Sequence, residues 1–456
     1  MAEAWIIDGV RSPRGRGKST GSLHHIHPQE LLAQVLNALQ KRVGFDPADV
    51  DDVIIGNGND AGDHGACIGR MAVLAAGWPV EAPGVTINRF CGSGQQAVSW
   101  AAMGVQSGHQ DVVVAGGVES MSRWPAPTGA PDFTSGNAAL REMYPLVPQG
   151  ISADLIATIE GFTRQQVDEL ALMSQQRAAR AQAEGRFDRS VVPILNPDGT
   201  VALAKDEHLR PDTTMESLSG LSPSFEKLGS RHLDGFDRSF DDMCKQAYPN
   251  VNAVNHVHHA GNSSGVVDGA GVIMVTSPEY AKAHGLKPRA RIVMSAVAGA
   301  EPVIMLTAPA PASKKCLERA GMTTKDIDIW EINEAFAAIP MKAMRELGLT
   351  PENVNVNGGA IALGHPIGGS GPILMQTALD ELERQDKETA LITMCTGGGM
   401  GTATIIQRIR PHPTPPPAFW VTQVPVFGYF SYPERENGVR NRSSSSSTTH
   451  YGPNCP

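Results

Sequence analysis

Four short stretches of this sequence hold residue types that could do covalent chemistry. The first is Asn88-Arg89-Phe90-Cys91-Gly92-Ser93-Gly94-Gln95-Gln96-Ala97. A strand-like run ends at Asn88, and Ala97, Val98, Ala101, Ala102 and Val105 then fall on one helical face. Cys91 is therefore expected where a strand turns into a helix N-terminus. Free N–H groups and the positive helix end favour a thiolate there, so a thiol pKa below its usual value of about 8.5 is expected. Gly92 and Gly94 let a substrate come close to the backbone. Such a cysteine reads as a nucleophile, with an inert buried cysteine as the alternative.

The partners lie in the second half of the chain. Gly358 to Gly371 is a glycine-rich loop with one histidine, His365, followed by Pro366, and it opens a helix bearing Leu374, Ala378 and Leu382 on a face. A Cys–His pair is the usual way to activate a thiol, which makes His365 a candidate base. In Met394-Cys395-Thr396-Gly397-Gly398-Gly399-Met400-Gly401, Cys395 ends a strand and leads into a turn whose N–H groups can cradle an oxyanion. Asn333-Glu334-Ala335-Phe336 follows the expected strand Ile327 to Ile332, where an asparagine can hold a water or donate to a carbonyl oxygen.

The elements that must position these residues read as one plan used twice. Asp51 to Ile55, Val85 to Ile87, a glycine-rich turn, a helix, and the strand Asp111 to Ala115 with Gly116-Gly117 form the first copy. Asp326 to Trp330, Val354 to Val356, a glycine-rich turn, a helix, and the strand Ala390 to Met394 with Gly397-Gly398-Gly399 form the second. Strands alternating with helices imply right-handed βαβ units around a buried sheet. Residues 120–251 differ: proline-rich, then a helix from Arg164 to Glu184, then polar and irregular, as expected for an inserted loop domain covering the substrate site. The expected division is residues 1–119 with 252–277 as the N-terminal half, 278–410 as the C-terminal half, and 411–456 as a disordered, dispensable tail. That tail is proline-rich and then Ser/Thr-rich, with no amphipathic period.

Composition narrows the class. At 456 residues, two or three domains are the prior, and 41% hydrophobic content with 48 glycines reads as a globular α/β chain. A net charge of −9 leaves no basic stripe for nucleic acid. No run of about 18 apolar residues suggests a membrane span. The N-terminus reads as an opening strand rather than a signal peptide. Six cysteines without CxxC spacing fit a reducing cytoplasm better than a disulfide framework. The final Asn454-Cys455-Pro456 is not a peroxisomal address. Gly17-Lys18-Ser19 imitates a P-loop, but Ser12 stands where its leading glycine belongs; Gly56-Asn57-Gly58 does not continue as a dinucleotide fingerprint. His256, His258 and His259 read as polar residues near a sheet edge, the adjacent pair pointing to opposite faces, so no metal is expected.

Together the motifs resemble the thiolase family, the acetyl-CoA C-acyltransferases. NRFCGSG at Cys91, AGNSSG at Ala260 to Gly265, NEAFA at Asn333, GGAIALGHPIGGSG around His365 and CTGGGMG around Cys395 stand in the family's order, and the resemblance runs from Met1 to about Ile409. It implies a layered α/β/α/β/α fold of two similar halves with the inserted loop domain. It implies that Cys91 attacks a 3-ketoacyl-CoA and keeps the acyl group as a thioester. His365 would take the thiol proton and then help hold the thioester oxygen. Cys395 would protonate the departing acetyl-CoA enolate, or remove that proton in Claisen condensation to acetoacetyl-CoA. Asn333 would hold the water of one oxyanion hole, with the N–H groups of Cys91 and Gly397 forming the other. Ser264 would contact the pantetheine arm, and Phe336 would line the substrate site. No bound cofactor or metal is implied; coenzyme A and acyl-CoA are substrates. A homodimer or homotetramer and β-oxidation partner enzymes are the expected assemblies. Pro148-Gln149-Gly150, where many thiolases have a Met-Gly sequence, is expected to alter acyl and pantetheine walls without touching the reacting atoms. Three rivals stand beside this reading: a non-catalytic acyl-CoA or lipid-binding relative, a structural role for the tail, and a ketoacyl synthase. The last uses two histidines where this chain has His365 and Cys395.

Overall fold

The computed structural model describes residues 2–124, 132–233 and 235–410. The expectations for 411–456 lie outside the described residues. Among the described residues, twelve strands run in chain order: β1 (Trp5–Arg11), β2 (Gly15–Arg16), β3 (Asp52–Gly56), β4 (Val85–Ile87), β5 (Val112–Ser120), β6 (Ile194–Leu195), β7 (Val201–Leu203), β8 (Val267–Thr276), β9 (Ala290–Gly299), β10 (Ile329–Ile332), β11 (Thr389–Thr396) and β12 (Met400–Arg408).

The duplicated plan is visible in the strand order. The N-terminal half runs β1-β8-β5-β3-β4 and the C-terminal half runs β9-β12-β11-β10. In both, the first two pairings are antiparallel and the next is parallel. The halves join where Trp5 and Ile6 pair with Arg291 and Ala290. Val354 bridges Trp330 in parallel, in the place that β4 takes beside β3. The expected strand Val354 to Val356 stops at that bridge. Asn355 is left-handed at φ 48°, and its side chain accepts from the Ile332 N–H and donates to the Ile332 carbonyl, replacing the ladder with an amide clamp.

Strands β5 and β8 are buried along their whole length, which matches their near-continuous apolar sequence. β5 runs on through Gly116-Gly117 to Ser120 instead of turning at Ala115. At Gly116 a Cβ would stand 2.1 Å from the Gly271 carbonyl oxygen, so glycine permits the close pairing. Helices Ser93–Gln106 and Ser370–Arg384 form the middle layer. Their apolar faces (Ala97, Ala101, Leu374, Ala378, Leu382) share one core with the inner faces of both halves. Helix Pro28–Val43 packs on the outer side of the N-terminal half, and helices Pro309–Ala320 and Ala338–Leu347 on the outer side of the other, completing the α/β/α/β/α layering.

The insertion carries helices Gln149–Glu160 and Arg164–Ala183, the second opened by a Thr163/Gln166 capping box. The three histidines correct the sequence reading: residues 254–259 form no strand, and His258 and His259 are buried, not at a sheet edge. Asp154 binds His256 Nδ1 at 2.8 Å and His258 Nδ1 at 2.7 Å, while Asp168 binds His259 Nε2 at 2.8 Å. They tie this segment to the two insertion helices, because a buried carboxylate must find hydrogen-bond partners.

Candidate active site

Cys91 lies between β4 and the Ser93–Gln106 helix, almost fully buried. The turn is built by its neighbours. Asn88 Oδ1 accepts from the Phe90 N–H, Ser93 Oγ accepts from the Arg89 N–H and donates to the Phe90 carbonyl, and Phe90 is left-handed at φ 47°. Gln95 locks the helix start onto the other half, donating to the Ile392 carbonyl and Thr404 and accepting from Thr402. Gly92 is confined by Thr396 and Thr402, since a Cβ there would come within 2.7 Å of the Thr396 methyl.

The expectation of a lowered Cys91 pKa is overturned. Burial pushes the thiol up to about 11, outweighing hydrogen bonds from the Gln149 side chain and from the N–H groups of Cys91 and Gly397. Desolvation of the charged form wins over the helix end because the thiol is buried. Cys395, the penultimate residue of β11, is fully buried, and burial together with the nearby Cys91 thiol drives its pKa upward too. The structure therefore brings Cys91, Cys395 and the Gly397 N–H to one place. Phe90 and Phe133 cover Gly397, with their rings edge to face at 6.0 Å. Gln149 corrects a second expectation, since this departure from the family pattern reaches the sulfur itself.

His365 stands on the loop that leads into the other central helix. Gly364, at φ 94°, makes the turn before it and packs against Val267. The His365 N–H donates to the Gly265 carbonyl at 2.9 Å. Ser370 Oγ donates to the Pro366 carbonyl at 3.0 Å, so its lone pair is free to accept from His365 Nδ1 at 2.5 Å. This network assigns the proton to Nδ1 and leaves Nε2 as the acceptor, 3.4 Å from Asn333 Nδ2. Burial, and then the charge of Arg14, lower the His365 pKa to about 4, so the imidazole is neutral at ordinary pH.

The remaining candidates are placed around this pair. Asn333 follows β10 and its N–H donates to the Thr393 carbonyl. The buried Glu334 accepts from Ser174, Asn355 and the Ile361 N–H, pinning the loops on either side. Half-buried Ser264 donates its N–H to the Ala335 carbonyl, and Phe336 packs edge-on to Phe225 and His258. Behind Ser264, the insertion and the Ala260-Gly261 turn enclose a cavity of about 340 Å³ lined by His208, Arg210 and Ser217.

Sequence reading missed Gln149 as a contact of Cys91, Ser370, Phe133 and Glu119. Glu119 accepts from the Gly58 and Gly368 N–H groups, joining the β3 end to the histidine loop, and burial raises its pKa to about 7. Ser370 had a visible signal, five residues after a histidine at a helix start; the others meet the site only through long-range packing.

The family models for the thiolase N-terminal and C-terminal domains match residues 4–232 and 286–408. The chain belongs to the thiolase family. It is 41% identical over 432 residues to the beta-ketoadipyl-CoA thiolase of Escherichia coli, covering 90% of this chain and all of that one. It is 39% identical to the acetyl-CoA acetyltransferase of Cupriavidus necator over the same shares of each chain. The crystal structure of the Bacillus anthracis acetyl-CoA acetyltransferase superposes with a TM-score of 0.76 at 38% identity, over 90% of this thiolase and 99% of that chain. This thiolase is an acyltransferase that catalyses CoA-dependent thiolytic cleavage.

Proposed function

We propose that Cys91 is the nucleophile that carries the acyl group and that Cys395 is the acid–base thiol. One observation carries this reading: two buried thiols close enough that Cys91 raises the pKa of Cys395, with the Gly397 N–H acting on Cys91. Cys91 passes its proton to His365 Nε2 and attacks the 3-keto carbonyl carbon. The bond between C2 and C3 breaks, and the Cys395 S–H protonates the acetyl-CoA enolate at C2. Incoming CoA then gives its thiol proton to Cys395 and attacks the thioester, while His365 returns its proton to Cys91. The raised pKa of Cys395 suits a group that must start as an acid, and the lowered one of His365 keeps its imidazole neutral, with Nε2 free to accept a proton. Hydrogen bonds stabilise the oxyanions: a water on Asn333 with His365 Nε2 on one side, and the Cys91 and Gly397 N–H groups on the other.

Ser264 and Phe336 border the channel for the pantetheine arm, and the cavity beside them offers Arg210 for a phosphate. The substrate class is a 3-ketoacyl-CoA, bound with no resident cofactor or metal. Fatty-acid β-oxidation alongside partner enzymes is one setting; relatives named for beta-ketoadipyl-CoA favour a second, with a carboxylate-bearing acyl chain. We also place the thiolase in the cytoplasm as a homo-oligomer. Leu74, Val85, Trp100 and Met103 are exposed apolar side chains that suit burial against a second copy, while no described helix is long and apolar enough to cross a membrane. The test is a rate series over unbranched 3-ketoacyl-CoA of increasing length and 3-ketoadipyl-CoA, with mass spectrometry of the trapped enzyme. An acyl group on any residue other than Cys91 would sink the assignment.

A further inference from the structure

Beside Asn333 and Ser370 lies a second, small cavity that the reaction above does not use. It measures about 10 Å³, room for a single water, and its lining includes Arg14, Glu331, Asn333 and Ser370. Arg14 is 3% exposed and Glu331 is fully buried. Arg14 Nε and both carboxylate oxygens of Glu331 have no hydrogen-bond partner among the described residues. Three polar atoms without partners around a one-water space are costly unless something joins them.

We propose that one ordered water bridges Arg14 and Glu331 in this cavity, and that Arg14 is a positioning residue that fixes His365 for proton uptake from Cys91. Glu331 is on β10, two residues before Asn333, so the bridge sits directly behind the strand end that presents Asn333. Ser370, which holds His365 Nδ1, lines the same cavity. The Arg14 backbone is held from the other side: its backbone N–H donates to Asp206 of the insertion at 2.8 Å, and Asp206 also pairs with Arg11. The charge of the Arg14 guanidinium opposes an imidazolium at His365. Burial and the neighbouring Glu334 and Glu381 keep Glu331 toward its neutral form, so it does not cancel Arg14. The other titratable groups around the histidine loop are the Cys91 and Cys395 thiols, Glu119 at the Gly368 N–H, and His208 against Gly265. Among them only Arg14 is a cation that acts on His365. The inference rests on His365 being the base.

The experiment is the pH dependence of acyl-enzyme formation for the wild type, Arg14→Met and Arg14→Lys, with melting temperatures and KM in parallel. The wild-type acid limb should lie near the His365 value of about 4. Arg14→Met should move it up only part of the way toward the ordinary histidine value of about 6.5, because burial remains the larger cause, with a rate loss at pH 5 and little change in KM. Arg14→Lys should move it back. A folded Arg14→Met with an unmoved acid limb overturns the proposal, as does a Lys variant that restores nothing. Should Arg14→Met fail to fold, nitrogen NMR of labelled histidines in the wild type decides: His365 must be neutral at pH 5 with its proton on Nδ1, and an imidazolium there overturns it. A high-resolution crystal structure must show the water within hydrogen-bond distance of Arg14 Nε and Glu331, and a dry cavity overturns the bridge. His365→Asn run alongside separates the two readings: acyl-enzyme formation at the wild-type rate would refute His365 as the base, whatever the cavity holds.

Discussion

The two halves of this thiolase share a strand order and differ in what they present at the ends of their strands. The N-terminal half offers the proposed nucleophile, Cys91, on a strained turn into a helix. The C-terminal half offers His365, Cys395 and Asn333 from three separate strand ends and loops. The matching helices meet in the middle layer: a Cβ on Gly94 would stand 2.3 Å from the Gly368 carbonyl oxygen, and one on Gly371 would stand 2.2 Å from the Gln95 nitrogen. Duplication therefore supplied two crowded helix starts facing each other. The chemistry came from filling each with different residues.

If the halves divide the labour in this way, the largest effect should come from Cys91→Ala. Acyl-enzyme formation should vanish from the mass spectrum with every acyl-CoA, since no other group replaces the thiol. Residual acylation at Cys395 would mean that the halves are interchangeable. Cys395→Ala should separate them. Acyl transfer from a simple acyl-CoA to Cys91 should persist, while carbon–carbon cleavage should fall by about 10²–10⁴-fold, the usual worth of a placed proton donor. Equal loss of both half-reactions would end the acid–base assignment.

A smaller effect addresses the place where the halves part structurally. Asn355 clamps Ile332 where the other half has a strand ladder. Asn355→Ala removes three buried hydrogen bonds, two to Ile332 and one to Glu334, and leaves a left-handed alanine, for a loss of about 2–4 kcal/mol read as a lower melting temperature and denaturation midpoint. The loop that carries Asn333 should loosen with it, so kcat should fall further than a stability change alone explains. A variant with wild-type stability would show that the clamp is decorative and the lone bridge at Val354 sufficient.

Much of this was legible along the chain. Glycine spacing, helical periodicity and strand-like runs placed Cys91 before a helix, Cys395 at the end of β11 and His365 ahead of the Ser370–Arg384 helix, because these are local properties. The duplicated plan was legible for the same reason. Local propensity also misled: Val354-Asn355-Val356 is strand-like in composition, but a side-chain amide took the ladder's hydrogen bonds. The His256 to His259 segment looked like a sheet edge until three carboxylates from the insertion, Asp154, Asp168 and Asp241, claimed its imidazoles.

What the tertiary structure decided was the sign of the electrostatics. Read in sequence, a helix N-terminus argues for a thiolate at Cys91; in the fold, burial from both halves outweighs it and keeps the thiol protonated. The same burial, with Arg14 brought from the first strand's end, keeps His365 neutral. Helix ends and turn glycines act over a few residues and can be read locally. Desolvation depends on how many distant segments close over a group, and only the packed molecule contains that information.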